Sequence, residues 1–257
     1  MLNRLAGKFS SIKHARAMRL WQRVEYQAAS APLQDLRKLR TMARQMRRQL
    51  NRVNHIADGR LTLPVLGSNA MSLPPQTDWA HRPEVWTGPI SPIGVAAAAS
   101  KTKIGDETTL FHDCQLSELS LRQIRNSRAE DLAPFGLRMD VFKFDGSFLS
   151  LVIETPTRAM KGLRKSHIVR LDLKISSEKS LEIFARLNIK HGPNTEQVVR
   201  ELELSKSDTC VEFDLTYTKF NENRAERMWV DLIFESPSMN QVTIYDLVLS
   251  RRPRARI

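Results

Sequence analysis

Three segments in the second half of the chain alternate apolar and polar residues, at positions 169–175, 183–189 and 211–217. A period of two places the apolar side chains on one face of a strand and the polar side chains on the other. Turn-forming residues follow each segment, as in His191-Gly192-Pro193-Asn194. The pattern therefore predicts half-buried strands in an antiparallel sheet, with one face in a core and one in solvent.

Two later segments are apolar on both faces. Residues 228–234 and 242–249 contain only Asp231 and Asp246 as charged residues. A strand that is buried on both sides has this character, so we expect both segments to be central strands.

A hairpin is predicted earlier in the chain. Residues 136–144 and 147–154 flank Asp145-Gly146, which is a strong signal for a two-residue connection between antiparallel strands. About eight strands at this spacing, with no long helices between them, predict an antiparallel β-sandwich or jelly roll over residues 104–257.

The positive charge is concentrated at the other end of the chain. Residues 1–60 contain 14 Lys or Arg and three acids, whereas the rest of the chain is close to neutral. The net charge of +12 is therefore a property of an N-terminal arm that must meet something anionic or repel its own copies.

Two helices are predicted in this arm, residues 1–59. The second has an unbroken heptad seam of apolar residues, namely Leu36, Leu39, Ala43, Met46, Leu50, Val53 and Ala57. A solitary helix of this length is marginal in water, so the seam needs an apolar partner. The partner is either the first helix, folded back as a hairpin, or the same helix of another copy in a coiled coil. We favour the hairpin, because small Ala43 and flexible Met46 do not specify a strong dimer.

Basic residues cover the second helix outside its seam: Arg37, Lys38, Arg40, Arg44, Arg47, Arg48 and Arg52. Such a row would bind an anionic membrane surface or, without sequence preference, the phosphates of a nucleic acid. A solvated face, or a face for a protein partner, is the third interpretation, and the pattern alone does not choose among them.

Residues 60–103 contain half of the prolines of the chain and predict an extended tether. Trp79 and Trp86 lie in this segment, although a flexible linker has no need of tryptophan. We expect them to anchor the tether to the domain, with a binding surface as the alternative.

The polar faces of the strands hold the best binding candidates. Arg186, Asn188 and Lys190 share one face of a predicted strand, and Trp229 and Asp231 share one face of another. Neighbouring strands of this kind would offer an aromatic platform with polar groups, suited to a sugar ring or a base. His191 and Asn194, at a strand end, are the next candidates.

No catalytic motif is recognised. His112-Asp113-Cys114 places a base near a thiol, but residues two apart on a strand share a face without forming a hydrogen-bonded dyad. Asp172, Asp214 and Asp231 are interpreted as structural, although carboxylates could still pair in space for glycoside hydrolysis.

Cofactor and metal motifs are not recognised either. The histidines lack zinc spacing, and there is no glycine-rich phosphate loop. A structural calcium ion would draw on Asp140, Asp145 or Asp246, yet the sequence contains no calcium loop, so we expect no cofactor. Two cysteines are too few for a disulfide framework and indicate a reduced, cytoplasmic protein.

Two resemblances add to these predictions. Residues 228–235 and 240–249, near the C-terminal end, resemble the last two strands of galactose-binding-like jelly rolls. This resemblance implies a module that binds glycans, lipid headgroups or proteins. Short stretches such as Leu110-Phe111-His112-Asp113-Cys114 and Phe144-Asp145-Gly146-Ser147-Phe148 are similar to an uncharacterised alphaproteobacterial family, which implies no function.

Together these features predict a non-catalytic adaptor: a jelly-roll module that binds a ligand or partner and is recruited to an anionic surface by its basic arm. The predicted location is the cytoplasm, either free or at the inner face of the membrane. The alternatives are a carbohydrate-active enzyme on the same sandwich and a nucleic-acid-associated protein.

Overall fold

The computed structural model describes residues 2–62, 70–128 and 130–254, with the backbone alone described for 2–12 and 58–62. The chain divides into two compact units between Asn54 and His55. The first unit is helical, with helix α1 (Leu2–Ala28) and most of helix α2 (Leu33–Thr62).

The second unit is an antiparallel β-sandwich. Its elements are β1 (Trp79–His81), α3 (Glu84–Thr87), β2 (Gly94–Val95), β3 (Thr102–Ile104), β4 (Thr108–His112), β5 (Leu119–Arg125), β6 (Phe135–Val141), β7 (Leu149–Glu154), β8 (His167–Ser177), β9 (Glu182–His191), β10 (Asn194–Glu201), β11 (Asp208–Asp214), β12 (Ala225–Glu235) and β13 (Asn240–Pro253). The predicted fold class, mainly β with an N-terminal helical region, is confirmed.

Two sheets enclose the core. The seven-stranded sheet has the order β11-β8-β13-β6-β5-β2, with β1 also paired to β13. The six-stranded sheet has the order β10-β9-β12-β7-β4-β3. The inward side chains of both sheets are apolar, and fully buried examples include Leu151, Leu187 and Leu232 from one sheet and Leu171 and Leu249 from the other. The outward face of the six-stranded sheet is therefore left for polar groups.

The three alternating segments and the two apolar segments predicted as strands are strands in the structure, with one local exception. Residues 169–175, 183–189, 228–234 and 242–249 lie in β8, β9, β12 and β13. The third alternating segment leaves its strand at Asp214, whose carboxylate accepts a hydrogen bond from the backbone N–H of Thr216 and starts a short 3₁₀ turn.

The predicted hairpin at Asp145-Gly146 is wrong. The flanking strands β6 and β7 belong to different sheets, so the segment between them crosses from one sheet to the other. The carboxylate of Asp113 holds this crossing by accepting hydrogen bonds from the backbone N–H groups of Ser147 and Phe148, at 2.7 and 3.2 Å. Gly146 is required there because a Cβ would lie 2.5 Å from Asp113 Oδ1. Its role is close approach and not the positive φ of a tight hairpin turn.

The described part of the predicted tether, residues 70–103, packs into the sandwich instead of remaining extended. It supplies β1, α3, β2 and most of β3. Trp86 is fully buried, and its Nε1 donates to the backbone oxygen of Ile244 at 2.9 Å. Trp79 is half-buried against the core. Both tryptophans thus anchor this segment to the domain.

The heptad seam of α2 is not buried as predicted from Ala43 onward, whereas Leu36 and Leu39 are half-buried. Met46, Leu50 and Val53 are 45%, 59% and 60% exposed, so the expected hairpin with the first helix does not cover them in the described residues. All seven basic residues of the predicted row are exposed. No helix in the described part of the chain is long and apolar enough to cross a membrane.

Candidate functional site

A groove of about 750 Å³ crosses the outward face of the six-stranded sheet. We call it the sheet groove. It is lined by side chains from β3, β4, β7, β9, β10 and β12, together with Lys101, which directly precedes β3. Volumes of this size are typical of small-ligand sites.

The strand register explains which side chains meet in the groove. One cross-strand row consists of Lys103, Thr109, Val152, Asp231 and Arg186. The next row consists of Glu154, Trp229, Asn188 and Gln197. Because neighbouring strands lie about 4.8 Å apart, each row forms a continuous line of side chains across the sheet.

A hydrogen-bonded network fixes the polar side of the groove. Arg186 donates from Nε and Nη2 to Asp231 Oδ2, at 2.8 and 2.6 Å. Asn188 Nδ2 donates to the same oxygen at 3.1 Å, and Gln197 Nε2 donates to Asn188 Oδ1 at 2.9 Å. The Asp231 side chain is almost fully buried, whereas Arg186 is 35% exposed. The network therefore presents part of a guanidinium and an amide in a fixed position.

Two polar atoms that belong to groove residues have no hydrogen-bond partner among the described residues. They are Asp231 Oδ1 and Ser150 Oγ, and both are buried. Leaving such an atom unsatisfied costs about 1–3 kcal/mol. An unsatisfied buried group in a native protein calls for a specific explanation.

Aromatic rings form the apolar part of the groove. Trp229 is half-buried, and the guanidinium carbon of Arg227 lies 4.9 Å from the centre of its ring. Arg227 is held in turn by Glu154, to which its Nε donates at 2.8 Å. This hydrogen bond raises the pKa of Arg227. Phe111 and Phe148 line the opposite part, and Phe148 is exposed.

The structure brings together four of the seven residues predicted for ligand binding: Arg186, Asn188, Trp229 and Asp231. Lys190 does not line the groove, and its Nζ pairs with Glu226 at 3.3 Å. His191 is buried, and it pairs with exposed Asn194 across the turn between β9 and β10. Gly192, with φ of 59°, makes this turn. The alternating sequence pattern predicted which residues share a face of the sheet. It did not predict how far the groove extends along each strand.

Sequence reasoning missed the residues that β3, β4 and β7 contribute. Lys101 and Lys103 come from the segment predicted as tether, and Phe148 and Ser150 come from the predicted hairpin. Phe111, on β4, also lines the groove. Residues 108–112 do not alternate apolar and polar side chains, so no local pattern marked Phe111 as a groove-facing aromatic.

The candidates for nucleophilic catalysis are held in structural contacts. His112 Nε2 lies 2.8 Å from the backbone oxygen of Ala98, and Asp113 supports the crossing between β6 and β7. Burial raises the pKa of the Cys114 thiol. A reactive thiol needs the opposite shift.

The aspartates considered for calcium do not converge. Asp140 accepts from Arg138 Nε at 2.8 Å, and Asp246 accepts from Arg82 Nε at 2.8 Å, while Asp145 is exposed in the crossing loop. In the part of the chain that the structure describes, no three His, Cys, Asp or Glu side chains are grouped to hold a metal ion.

The sequence matches the model of a family of unknown function, DUF6478, over residues 1–257, so the chain belongs to this family. No curated protein matches the sequence.

Several solved structures are similar in fold at low identity. A tailspike protein of bacteriophage CBA120 matches with a TM-score of 0.41 and 8% identity, over 64% of this chain and 22% of the tailspike. The family 11 carbohydrate-binding module of Clostridium thermocellum, solved with a β-1,3-1,4-mixed-linked tetrasaccharide, matches with a TM-score of 0.40 and 11% identity, over 61% of this chain and 96% of the module. The chain thus spans less than a quarter of the tailspike, and similarity at this level carries no argument about function.

Proposed function

We propose that this member of the DUF6478 family is a non-catalytic binding module whose sheet groove takes a saccharide. One observation carries the proposal: a half-buried tryptophan, Trp229, lies in the groove beside a network of fixed polar groups around Asp231. The chemistry of the groove side chains supports this proposal.

A sugar ring has an apolar face of C–H groups and an edge of hydroxyl groups. The ring of Trp229 suits the apolar face, and the exposed parts of Arg186 and Gln197 suit the edge.

Binding is favoured over glycoside hydrolysis by the hydrogen bonds that the two groove carboxylates already accept. Hydrolysis needs one carboxyl group that is protonated and can donate to the leaving oxygen. Asp231 is bonded to Arg186 and Asn188, and Glu154 is bonded to Arg227. Both groove carboxylates thus accept hydrogen bonds from neighbouring side chains, and neither is free to donate to a leaving oxygen.

The helical arm supplies the second part of the proposal, recruitment to an anionic surface. The seven exposed basic residues of α2 surround an exposed apolar seam, so both a charged and an apolar contact are available on the same helix. This combination favours an anionic membrane, where basic side chains meet headgroups and apolar side chains enter the interface. The module would then hold its saccharide near that surface.

An array of oligosaccharides, probed with the full-length protein, tests the first part. The Trp229→Ala variant should bind the retained glycans about tenfold more weakly, because it loses the stacking surface. Tyr217→Ala is the matched control, since Tyr217 is an exposed aromatic ring outside the groove with Arg254 above it. Equal binding by wild type and Trp229→Ala would contradict the proposal.

A further inference from the structure

The sheet groove has an excess of positive charge at one end. Of its charged lining residues four are cationic and two are acidic. The two acids are already used, because Arg186 pairs with Asp231 and Arg227 pairs with Glu154.

The excess charge comes from Lys101 and Lys103. Both side chains are exposed and line the groove. No carboxylate in the described residues lies within salt-bridge distance of either ammonium group. The two lysines are thus free to pair with a ligand.

The distance across the sheet indicates a ligand of several sugar units. Lys103 on β3 is separated from Asp231 on β12 by β4 and β7, which corresponds to roughly 14 Å between backbones. A ligand that stacks on Trp229 and also reaches the lysines must be longer than one sugar ring.

Edge-strand protection is a simpler explanation for these lysines. Strand β3 is at the edge of its sheet, and edge lysines commonly prevent pairing with another chain. That explanation requires charge only at the edge. It does not account for a groove that continues from the lysines to Trp229 with both of its acids neutralised.

We propose that the sheet groove binds an acidic oligosaccharide, with Lys101 and Lys103 pairing with its anionic groups and Trp229 stacking on a sugar ring. This inference rests on the proposed saccharide-binding function and specifies the class of saccharide. The anionic group is a carboxylate, a sulfate or a phosphate ester, because an exposed ammonium pairs with each of these.

The test compares oligosaccharides that differ only in charge. Calorimetric titration of the full-length protein uses oligogalacturonides against their methyl esters, sulfated against unsulfated galactan oligosaccharides, and phosphorylated against unphosphorylated mannose oligosaccharides. Wild type should bind the acidic member of at least one pair more tightly than its neutral partner. The pair that responds identifies the anionic group.

Two double variants separate the groove from the rest of the surface. Lys101→Gln with Lys103→Gln should reduce the affinity for the acidic ligand roughly threefold to tenfold and leave the neutral partner unaffected. Lys143→Gln with Lys206→Gln removes the same charge at exposed positions outside the groove and should leave both affinities unchanged. The arm is identical in both variants, so its nonspecific attraction to anions cancels in the comparison.

The outcomes distinguish the inference from the proposed function. Neutral oligosaccharides bound as tightly as acidic ones would overturn the inference and leave the saccharide site intact. A preference that survives the groove-lysine variant would also overturn it. A groove-lysine variant that aggregates without any change in affinity would assign the lysines to edge protection. Binding of no oligosaccharide of either kind would refute the proposed function, and the inference with it.

Discussion

Arg186 donates two hydrogen bonds to a single oxygen of Asp231, from Nε at 2.8 Å and from Nη2 at 2.6 Å. The two residues lie opposite each other on neighbouring strands and occupy the middle of the sheet groove. Because the Asp231 side chain is almost fully buried, removing one partner of this pair would leave the other without its compensating contact.

Asp231→Ala should therefore reduce the free energy of unfolding by about 2 kcal/mol, since it leaves Arg186 and Asn188 without their acceptor. Urea unfolding measures the effect, and glycan binding should fall in the same variant. Asp172→Ala is a matched control, because Asp172 accepts three hydrogen bonds from Arg170 on the other sheet but is 26% exposed, compared with 4% for Asp231. Its loss should be smaller and should not affect glycan binding. Equal effects of the two substitutions would show that the groove network has no special role.

His167 predicts how stability depends on pH. Burial and the nearby charge of Arg251 lower the pKa of His167, and they outweigh the opposite effect of Asp78, 3.3 Å away. In addition, His167 Nδ1 accepts a hydrogen bond from the backbone N–H of Arg164 at 2.9 Å. Protonation of this nitrogen would break the hydrogen bond. The folded protein thus favours neutral histidine.

The direction of the pH dependence follows from the linkage between proton binding and folding. Since the pKa is lower in the folded state, the unfolded chain binds more protons as the pH falls through about 6.5, and the free energy of unfolding decreases. Wild type should lose stability between pH 7 and pH 5 more steeply than His167→Gln in thermal melts at a series of pH values. Parallel curves for the two proteins would contradict this assignment.

The exposed seam of α2 predicts a small effect of Leu50→Asp. In the single chain Leu50 contacts mainly solvent, so the substitution should change helicity and melting little, by about 0.5 kcal/mol or less. Circular dichroism measures both quantities. A large loss of helicity would mean that another copy of the helix, or another apolar surface, covers the seam in solution.

Recruitment by the arm is tested by removing charge without removing the helix. Replacing Arg44, Arg47, Arg48 and Arg52 by Gln retains good helix formers and the seam. Sedimentation with anionic liposomes should decrease, and its salt dependence should become shallower, because exposed charges are screened by salt.

Two controls accompany this experiment. Neutral liposomes report apolar insertion, which survives both the substitutions and added salt. Duplex DNA tests the nucleic-acid alternative, in which affinity falls steeply with salt. If wild type binds neither anionic surface at low salt, the recruitment proposal is refuted.

The sequence by itself determined several of the strands and the faces of their side chains. The period of two in β8, β9 and β11 follows directly from backbone geometry, so Arg186 and Asn188 could be placed on one face without coordinates. Trp229 and Asp231, two residues apart in an apolar segment, could be placed on one face of their strand for the same reason. The basic arm was equally clear, because charge is a property of composition.

Only the tertiary structure decided which strands are neighbours and which segments belong to the sandwich. The signal at Asp145-Gly146 indicated a local hairpin, yet long-range pairing of β6 with β13 and of β7 with β12 places the flanking strands in different sheets. Lys101, Lys103 and Phe111 reach the groove for the same reason. Their position depends on contacts between residues far apart in the chain, which a local pattern does not contain.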